Sequence, residues 1–449
     1  MKTIRGSFRA AVLMAAAASV LVFAVGARAQ DQNDKDDPHH NGNSWPYATT
    51  RKSPVLAVVG DVACQPGGEV SGESGNEVCT DPATPPAYTS TSLWQSQEAT
   101  ANQIENMKPD AVALVGDLQY QVGRYSDFEG SFDLTYGAFK FLHRPAPGNH
   151  EFYNEHGEIG VLGYGYFSYY NGLQLSPSGM IPTTMIPNPC VTPSVSCKAA
   201  GKGAIPSSQP VPRADGQGGH FELGANAGLN GTGVGDGWYS YNLGSWHLIS
   251  LNIECYTQPT QAPPDGCSDT GTWLASELAW LKKDLEENHS ECTAAYWHQP
   301  LFSAADSLSE EGTTSQAFWR LLYEYNADLV LNGHDHLYAR YKPLDYSGNP
   351  DAKRGIREFI VGTGGETLDK VASSKTGTAG AQFNAANLEA SSGDFWGVMA
   401  LTLDEHGYKW DFEPAMELPG DAAAPFSDKG VGVCHDQPNW HHDDHDHDR

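Results

Sequence analysis

The chain has 449 residues, of which 39% are hydrophobic, enough to bury the core of one large domain or of two ordinary ones. Its formal charge of -28 at pH 7 argues against nucleic acid as a partner and would repel a phosphorylated ligand at long range. Any anion site must therefore be made positive locally, and bound metal ions are the direct means.

The first 29 residues are predicted to be a signal peptide. Lys2, Arg5 and Arg9 precede an apolar stretch over 10–25, and Ala27-Arg28-Ala29 fits a small-x-small cleavage site. Because that stretch is short for a membrane span, we expect no stable membrane insertion, with a retained N-terminal anchor as the alternative. The mature protein is therefore expected to be secreted or periplasmic.

Eight cysteines remain after cleavage, an even number that in an exported protein indicates disulfides rather than thiolate metal ligands. One pairing compatible with the spacing joins Cys190 with Cys197 and Cys255 with Cys267, which leaves Cys64 with Cys79 and Cys292 with Cys434. The sequence alone does not fix this connectivity.

Strands and helices alternate along the first part of the chain. Residues 30–52 are polar and are predicted to be disordered. The predicted elements are then a strand over 55–59, a helix over 93–107, a strand over 111–115 and a helix over 127–142. This alternation indicates a parallel sheet covered by helices, and ligands of such sheets gather at the carboxyl ends of the strands.

The remainder of the predicted catalytic domain, which spans 53–415, is interrupted by a stretch rich in Gly, Pro, Ser and Asn at about 171–236. This stretch is either an insertion packed over the site or a partly disordered loop. The elements predicted after it are a hairpin over 238–253, a helix over 272–288, a strand over 293–297, a helix over 315–325, strands over 327–331 and 358–361, and a hairpin over 396–412. Residues 416–449 are predicted to form a C-terminal extension whose His/Asp-rich end is a solvated tail with loose metal affinity as its alternative role.

Polar residues of a few types follow five of the predicted strands. They are Asp61, Asp117 with Tyr120, Asn149 with His150, His298, and His334 with His336. Carboxylates, imidazoles, a phenolate and an amide oxygen suit iron, zinc or manganese and do not suit copper(I). Two such ions a few ångströms apart can clamp a phosphoryl group and activate water.

Each residue taken alone has an ordinary structural explanation. An Asp after Gly can cap a helix, Gly148-Asn149-His150 can be a turn, and His298 can be a hydrogen-bonded core histidine. Five such strand ends in one ordered series are improbable as background, so the sequence predicts a metal centre. Asp335, between two of the histidines, is expected to point away from the metals because side chains alternate along an extended segment.

The ordered motifs resemble those of the calcineurin-like metallophosphoesterases. The motifs are Gly60-Asp61, Gly116-Asp117-Leu118-Gln119-Tyr120, Gly148-Asn149-His150-Glu151, Trp297-His298, Gly333-His334-Asp335-His336 and the glycine stretch Gly362-Thr363-Gly364-Gly365. Tyr120, three residues after the second aspartate, is similar specifically to the purple acid phosphatases. The resemblance implies a four-layer α/β/β/α sandwich with mixed sheets.

The resemblance also implies a binuclear centre of Fe(III) and a divalent ion, which is Fe, Zn or Mn. The ferric ion would be held by Asp61, Asp117, Tyr120 and His336, and the divalent ion by Asp117, Asn149, His298 and His334. His150 would bind the phosphate or act as the catalytic general acid.

Many relatives carry a histidine ligand two residues after the first aspartate, where this chain has Ala63. Tyr120 would therefore supply the missing ligand, and a disulfide is preferred to a thiolate ligand for Cys64. Additional histidines near the substrate are not assignable, because surface or core positions are the ordinary interpretation for His156, His220 and His247.

The function predicted is acid phosphatase activity, in which a metal-bound hydroxide attacks a small phosphate monoester. A phosphodiesterase of the same fold is one alternative, and an exported metal-binding protein is the alternative from another class. The oligomeric state stays open.

Overall fold

A computed structural model describes residues 52–66, 79, 93–152, 163–171, 173–175, 182–185, 237–254, 272–306, 312–372, 385–417 and 426–435. The signal peptide, residues 30–51, most of the predicted insertion, His156, His220 and the His/Asp-rich tail lie outside these ranges. Within the described part of the chain, no helix combines the length and the apolar character that crossing a membrane requires.

The strands of the described residues are β1 (Val55–Val59), β2 (Ala111–Val115), β3 (His143–Ala146), β4 (Leu173–Leu175), β5 (Pro182–Met185), β6 (Tyr239–Leu243), β7 (Trp246–Ser250), β8 (Cys292–Tyr296), β9 (Leu329–Asn332), β10 (Tyr338–Tyr341), β11 (Arg357–Val361), β12 (Leu388–Ser392), β13 (Phe395–Asp404), β14 (Gly407–Glu417) and β15 (Asp428–Val433). The helices are α1 (Leu93–Met107), α2 (Tyr125–Asp127), α3 (Asp133–Thr135), α4 (Asn149–Phe152), α5 (Tyr164–Asn171), α6 (Thr272–Glu287) and α7 (Gly312–Glu324).

Two mixed sheets form the centre of the fold. The first has six strands in the order β15-β14-β13-β1-β2-β3, in which β1, β2 and β3 are parallel. The second has seven strands in the order β12-β10-β11-β9-β8-β7-β6, in which β7, β8, β9 and β11 are parallel. A separate antiparallel pair, β4 and β5, lies within the predicted insertion.

The two sheets pack face to face and are covered by helices on their outer faces. Alternate residues of β1 show this arrangement, because successive side chains of a strand point to opposite faces. Leu56 and Val58 belong to the core between the sheets, whereas Ala57 and Val59 belong to the core that includes α1. A third core lies between the second sheet and α6 with α7. The predicted α/β/β/α sandwich is therefore confirmed.

The helix predicted over 127–142 is wrong as a single element. The segment consists of α2, a π-helical turn at Phe128–Phe132, α3 and a 3-10 helix at Tyr136–Leu142. Its aromatic side chains pack into the core beneath α5, with Phe128 stacked on Tyr169 at a ring separation of 5.0 Å. Two glycines of low helix propensity weaken the helix in this segment. Burial of the aromatic rings then stabilises the irregular backbone more than a continuous α-helix would.

Five strands were not predicted from the sequence, namely β4, β5, β10, β12 and β15. The last belongs to the predicted C-terminal extension and pairs antiparallel with β14, so that part of the extension contributes to the sheet. The other proposed domain boundaries stay predictions.

Two disulfides occur in the described residues, Cys64–Cys79 and Cys292–Cys434. These are two of the pairs compatible with the spacing, and the first removes Cys64 from the possible metal ligands. The other four cysteines lie outside the described residues.

Removing the Cys292–Cys434 disulfide with a double Ala substitution is expected to lower the free energy of unfolding by about 5 kcal/mol, against about 3 kcal/mol for Cys64–Cys79. The difference arises because the first bond spans a sequence separation of 142 and the second one of 15, and the longer loop loses more entropy in the unfolded chain when it is closed. Urea unfolding of both double variants measures this difference. A larger loss for the shorter loop would contradict the expectation.

A buried acid beside the Cys292–Cys434 disulfide makes stability depend on pH. Asp328 precedes β9, is 3% exposed and accepts the backbone N–H groups of Thr293 and His435. Burial raises the pKa of Asp328 from 3.8 to about 7, these N–H groups oppose the rise, and the charge of Glu291 reinforces it. Because the folded state binds this proton more tightly than the unfolded chain, the stability it contributes is complete below about pH 4 and is lost as the pH rises to 7.

Asp328→Asn is therefore expected to flatten the pH dependence of the melting temperature. Relative to the wild type, the melting temperature of the variant should rise progressively between pH 4 and pH 7, because the amide cannot ionise. Thermal unfolding of metal-depleted protein across this range measures the difference. A constant difference between the two proteins at all pH values would contradict the raised pKa.

Candidate metal centre

The carboxyl ends of parallel strands from both sheets supply the predicted ligands. Asp61 follows β1, Asp117 follows β2 and Asn149 lies just after β3 in the first sheet. His298 follows β8 in the second sheet, and His334 and His336 follow β9. The structure brings all seven predicted ligand residues close to one another and places His150 beside them. Their roles as ligands stay predictions.

One group of polar atoms surrounds the Tyr120 hydroxyl. Tyr120 Oη lies 3.0 Å from Asp61 Oδ1, 3.1 Å from Asp117 Oδ2 and 3.0 Å from His336 Nε2. His336 Nδ1 donates to the carbonyl oxygen of Thr367, so the neutral imidazole has its lone pair on Nε2. When His336 is neutral, as metal binding requires, a single phenol hydrogen cannot serve three acceptors. This excess of electron-pair donors fits a cation.

A second group shares Asp117 with the first. His298 Nε2 lies 2.9 Å from Asp117 Oδ2 and 3.2 Å from His334 Nδ1, which lies 3.1 Å from Asn149 Oδ1. His298 Nδ1 donates to the carbonyl oxygen of Val115, which leaves Nε2 to face the group. Ligand atoms of Asp117, His298 and His334 all lie within 4.8 Å of one another, so these residues could hold one metal ion. Because Asp117 Oδ2 belongs to both groups, this carboxylate could bridge two ions.

Burial and charge set the protonation states in this centre. Burial acts to raise the pKa of Asp117, but the charges of His298 and His150 outweigh it and hold the pKa well below its usual range. Burial and the charge of His298 lower the pKa of His334 to about 3. Asp117 is therefore ionised and His334 neutral near pH 7, which are the forms that bind metals.

His336 differs from His334 in its protonation. Burial acts to lower the pKa of His336, but a hydrogen bond to Asp61 and the charges of Asp61 and Asp369 outweigh it and raise the pKa to about 10. The imidazolium must lose its proton before Nε2 can bind a cation, so cation binding at this position releases a proton.

The backbone is left-handed at three of the predicted ligand residues. The φ angles are 59° at Asp61, 48° at Asp117 and 68° at His334. Such angles are uncommon outside glycine and concentrate at functional sites, where surrounding contacts hold them. Gly116 also has a positive φ, of 91°, and a Cβ atom there would lie 2.4 Å from His298 Nδ1. Only glycine therefore allows β2 and His298 to approach so closely.

His150 lies at the edge of the two groups. Its Nδ1 lies 2.6 Å from the carbonyl oxygen of Gln121, and its Nε2 lies 3.8 Å from Asp117 Oδ2. Since a carbonyl only accepts, Nδ1 carries hydrogen in both protonation states, and Nε2 is the atom that gains or loses the proton.

Several residues that orient the predicted ligands were missed by the sequence reasoning. Glu151 accepts the backbone N–H groups of Leu118, Gln119 and Gly148, and so joins the segments after β2 and β3. Asp369 accepts the N–H of His336. The proximity of Glu151 to His150 in the sequence was a signal for its role, whereas nothing in the sequence around Asp369 indicates its partner.

His247 is buried and hydrogen-bonded to Asp284 on α6, as a structural core histidine would be.

Comparison with known proteins shows which proteins part of the chain resembles. Residues 206–338 match the sequence model of the family described as calcineurin-like phosphoesterase, a region that includes His298, His334 and His336. Curated relatives include an uncharacterised protein of Mycobacterium tuberculosis, 30% identical over 148 residues that cover 28% of this chain and 27% of that protein. Purple acid phosphatase 15 of Arabidopsis thaliana is 30% identical over 133 residues, which cover 28% of this chain and 22% of that protein.

Over residues 206–338 the chain is thus similar to the calcineurin-like phosphoesterases, and purple acid phosphatases are among the proteins that it resembles. The matched part spans 27% and 22% of the length of the two curated relatives named above. Among solved structures, purple acid phosphatase PPD1 from yellow lupin (Lupinus luteus) matches with a TM-score of 0.46 and 15% identity, over 87% of this chain and 55% of that one.

Proposed function

We propose that the protein is an exported phosphatase with a binuclear metal centre that hydrolyses small phosphate monoesters, as an acid phosphatase does. The observation that carries the proposal is the convergence of two groups of electron-pair donors on the shared Asp117 carboxylate. The family match and the acid phosphatases among the relatives support the same reaction class.

The donor chemistry divides the predicted ligands between two ions. Fe(III) would be held by Asp61, Asp117, Tyr120 and His336, because a carboxylate-rich set with a phenolate suits a hard trivalent ion. A divalent ion, Fe, Zn or Mn, would be held by Asp117, Asn149, His298 and His334. When bound, the two cations would neutralise charge on the phosphoryl oxygens and lower the pKa of a nucleophilic water.

The residues of the chain have separate tasks in this reaction. Asp117 fixes the spacing of the two ligand groups, and its Oδ1 accepts the N–H of His150, which positions that histidine. His150 Nε2 would protonate the leaving oxygen of the ester, because it is the ring nitrogen that exchanges its proton. Bound cations would make the site locally positive and so attractive to an anion in a chain of formal charge -28.

The proposal is tested by metal analysis and turnover of the purified full chain. Two metal ions per chain together with hydrolysis of a phenyl phosphate monoester would support it. Preferential hydrolysis of a diester such as bis(4-nitrophenyl) phosphate would favour the phosphodiesterase alternative. Metal uptake without turnover of either ester would indicate a metal-binding protein. Export is tested separately by the N-terminal sequence of protein recovered outside the cytoplasm, which should begin at Gln30.

Tyr120→Phe is expected to abolish the visible charge-transfer band of an iron-loaded protein, because that band requires a phenolate bound to Fe(III). Phenylalanine retains the ring that packs against His150, tilted by 47° at 4.2 Å between centroids, so the packing should change little. Absorption spectra of iron-loaded wild type and variant measure the difference. If the iron-loaded wild type lacks the band, Tyr120 is not a ferric ligand.

A further inference from the structure

Asp335 has no assigned role although it lies between two predicted ligands. Its side chain is 2% exposed and turns away from them, as alternation along the segment predicts. Asp335 Oδ2 accepts the N–H groups of Ala304 at 2.7 Å and Ala305 at 3.0 Å. The hydroxyl of Ser303 donates to the same carboxylate, at 2.8 Å from Oδ2 and 3.0 Å from Oδ1. Through these hydrogen bonds Asp335 connects the segment after β9 to the segment that follows His298.

The bound segment 303–305 is itself part of a closed ring of contacts around His336. Ala305 forms a bridge with Val371, and Ala372 donates its N–H to the carbonyl oxygen of Ala304. The residues just before this pairing hold His336 in place. Asp369 accepts the backbone N–H of His336 at 3.0 Å, and the carbonyl oxygen of Thr367 accepts Nδ1–H at 2.8 Å. The orientation of His336 Nε2 toward Tyr120 and Asp61 thus depends on contacts that begin at Asp335.

The backbone conformation of His334 also needs external support. Its left-handed φ of 68° costs on the order of 1 kcal/mol and persists only where surrounding contacts fix it. Asp61 Oδ2 accepts the N–H of His334 on one side. The hydrogen bonds of the Asp335 carboxylate fix the next residue on the other side.

We propose that Asp335 is a positioning residue that sets the metal affinity of the centre by holding His334 and His336 in their binding orientation. It does not touch the metals or the substrate and acts through the two histidines. The inference rests on the ligand roles assigned under the proposed function.

The same strand provides a matched control. Asp328 lies immediately before β9, whereas Asp335 lies just after it. Both are buried and both accept two backbone N–H groups, Asp328 from Thr293 in β8 at 2.8 Å and from His435 after β15 at 2.6 Å. Asp328 therefore anchors the start of β9, whereas Asp335 anchors the segment after its end. Only that second segment carries the two histidines.

The experiment compares Asp335→Ala, Asp335→Asn and Asp328→Ala in the full chain. Affinity for Zn²⁺ is measured by competition with a chelator, and the melting temperature is measured on metal-depleted protein. We expect Asp335→Ala to weaken Zn²⁺ binding about 10- to 100-fold, as loss of a residue that orients ligands typically does. Asp335→Asn should restore most of the affinity, because its amide oxygen can accept from Ala304 and Ala305 while its NH₂ donates to Ser303. Asp328→Ala should lower the melting temperature and leave Zn²⁺ affinity unchanged.

The proposal is overturned if Asp335→Ala binds Zn²⁺ within about twofold of the wild type, or if Asp328→Ala loses as much affinity as Asp335→Ala. If Asp335→Ala fails to fold, the Zn²⁺ affinity of Ser303→Ala tests the proposal instead. That variant removes one donor to the carboxylate and should weaken binding by a smaller factor, and unchanged affinity would overturn the proposal. A wild type that binds Zn²⁺ but hydrolyses no ester would refute only the proposed function, whereas one that binds no Zn²⁺ would refute both.

Discussion

Asp117→Asn is expected to remove both metal ions and to lower phosphate monoester hydrolysis by on the order of a thousand-fold, the loss typical when one electrostatic element of a preorganised site is removed. Asp117 Oδ2 lies 3.1 Å from Tyr120 Oη and 2.9 Å from His298 Nε2, so it belongs to both ligand groups. An amide has the same size but carries no charge to offset two cations. Elemental analysis and initial rates on the same preparation measure the two effects together.

Asp110→Asn is the matched control for this substitution. Asp110 lies immediately before β2, and its carboxylate accepts the backbone N–H of Val55 at 2.9 Å. It is therefore an acid at the other end of the strand that leads to Asp117. The control should retain both metals and full turnover. An Asp117→Asn variant that kept two metals and activity within tenfold of the wild type would rule out a bridging role.

His150→Ala is expected to lower kcat for an alkyl phosphate by about 10²- to 10⁴-fold, the contribution typical of a general acid. The loss should be much smaller for 4-nitrophenyl phosphate, because its leaving oxygen departs without protonation. His150 is held by its Nδ1 contact to Gln121 and by the N–H bond to Asp117, so substitution removes the proton donor without removing a predicted metal ligand.

The dependence on the leaving group distinguishes general acid catalysis from phosphate binding. A general acid affects kcat and depends on the leaving group, whereas a residue that binds the phosphate in ground and transition state alike raises KM for every ester. Steady-state kinetics of His150→Ala with both esters separate these outcomes. Equal losses for the two esters would exclude His150 as the proton donor.

Four strands that lead to ligands, β1, β2, β8 and β9, were predictable because each is a short, largely apolar run, whereas β3 has the sequence His-Arg-Pro-Ala. β1 and β2 match their predicted limits, and the helix over 93–107 matches α1. Parallel strands place their carboxyl ends at one edge, so the order of the ligand motifs along the sequence was sufficient to predict that they meet. Neither inference required knowledge of long-range pairing.

The edge strand β15 could not be predicted because its stability comes from residues distant in sequence. Gly430 and Gly432 are poor strand formers in isolation. A Cβ at these positions would lie 2.2 Å from a ring atom of Trp410 and 2.1 Å from one of Tyr408, so the rings of β14 occupy the space beside each glycine. The glycines are favourable only once β14 is in place.

The positioning contacts of the centre were equally inaccessible to the sequence. Asp369 and Asp335 act through backbone N–H groups, which every residue except proline carries, so the identity of the partner leaves no pattern in the chain. The ligands were predictable from residue type, whereas the groups that orient them depend on how loops from different strands meet.

The distribution of the ligand residues along the chain has a consequence for synthesis. Asp61, Asp117 and Asn149 are translated well before His298, His334 and His336, so the growing polypeptide presents carboxylates and an amide long before the imidazoles exist. Such a partial set lacks the nitrogen donors of both proposed sites, and metal binding of this kind is coupled to folding. Metal loading should therefore await the imidazoles of the second sheet, and nascent chains that end before residue 298 should purify without bound metal.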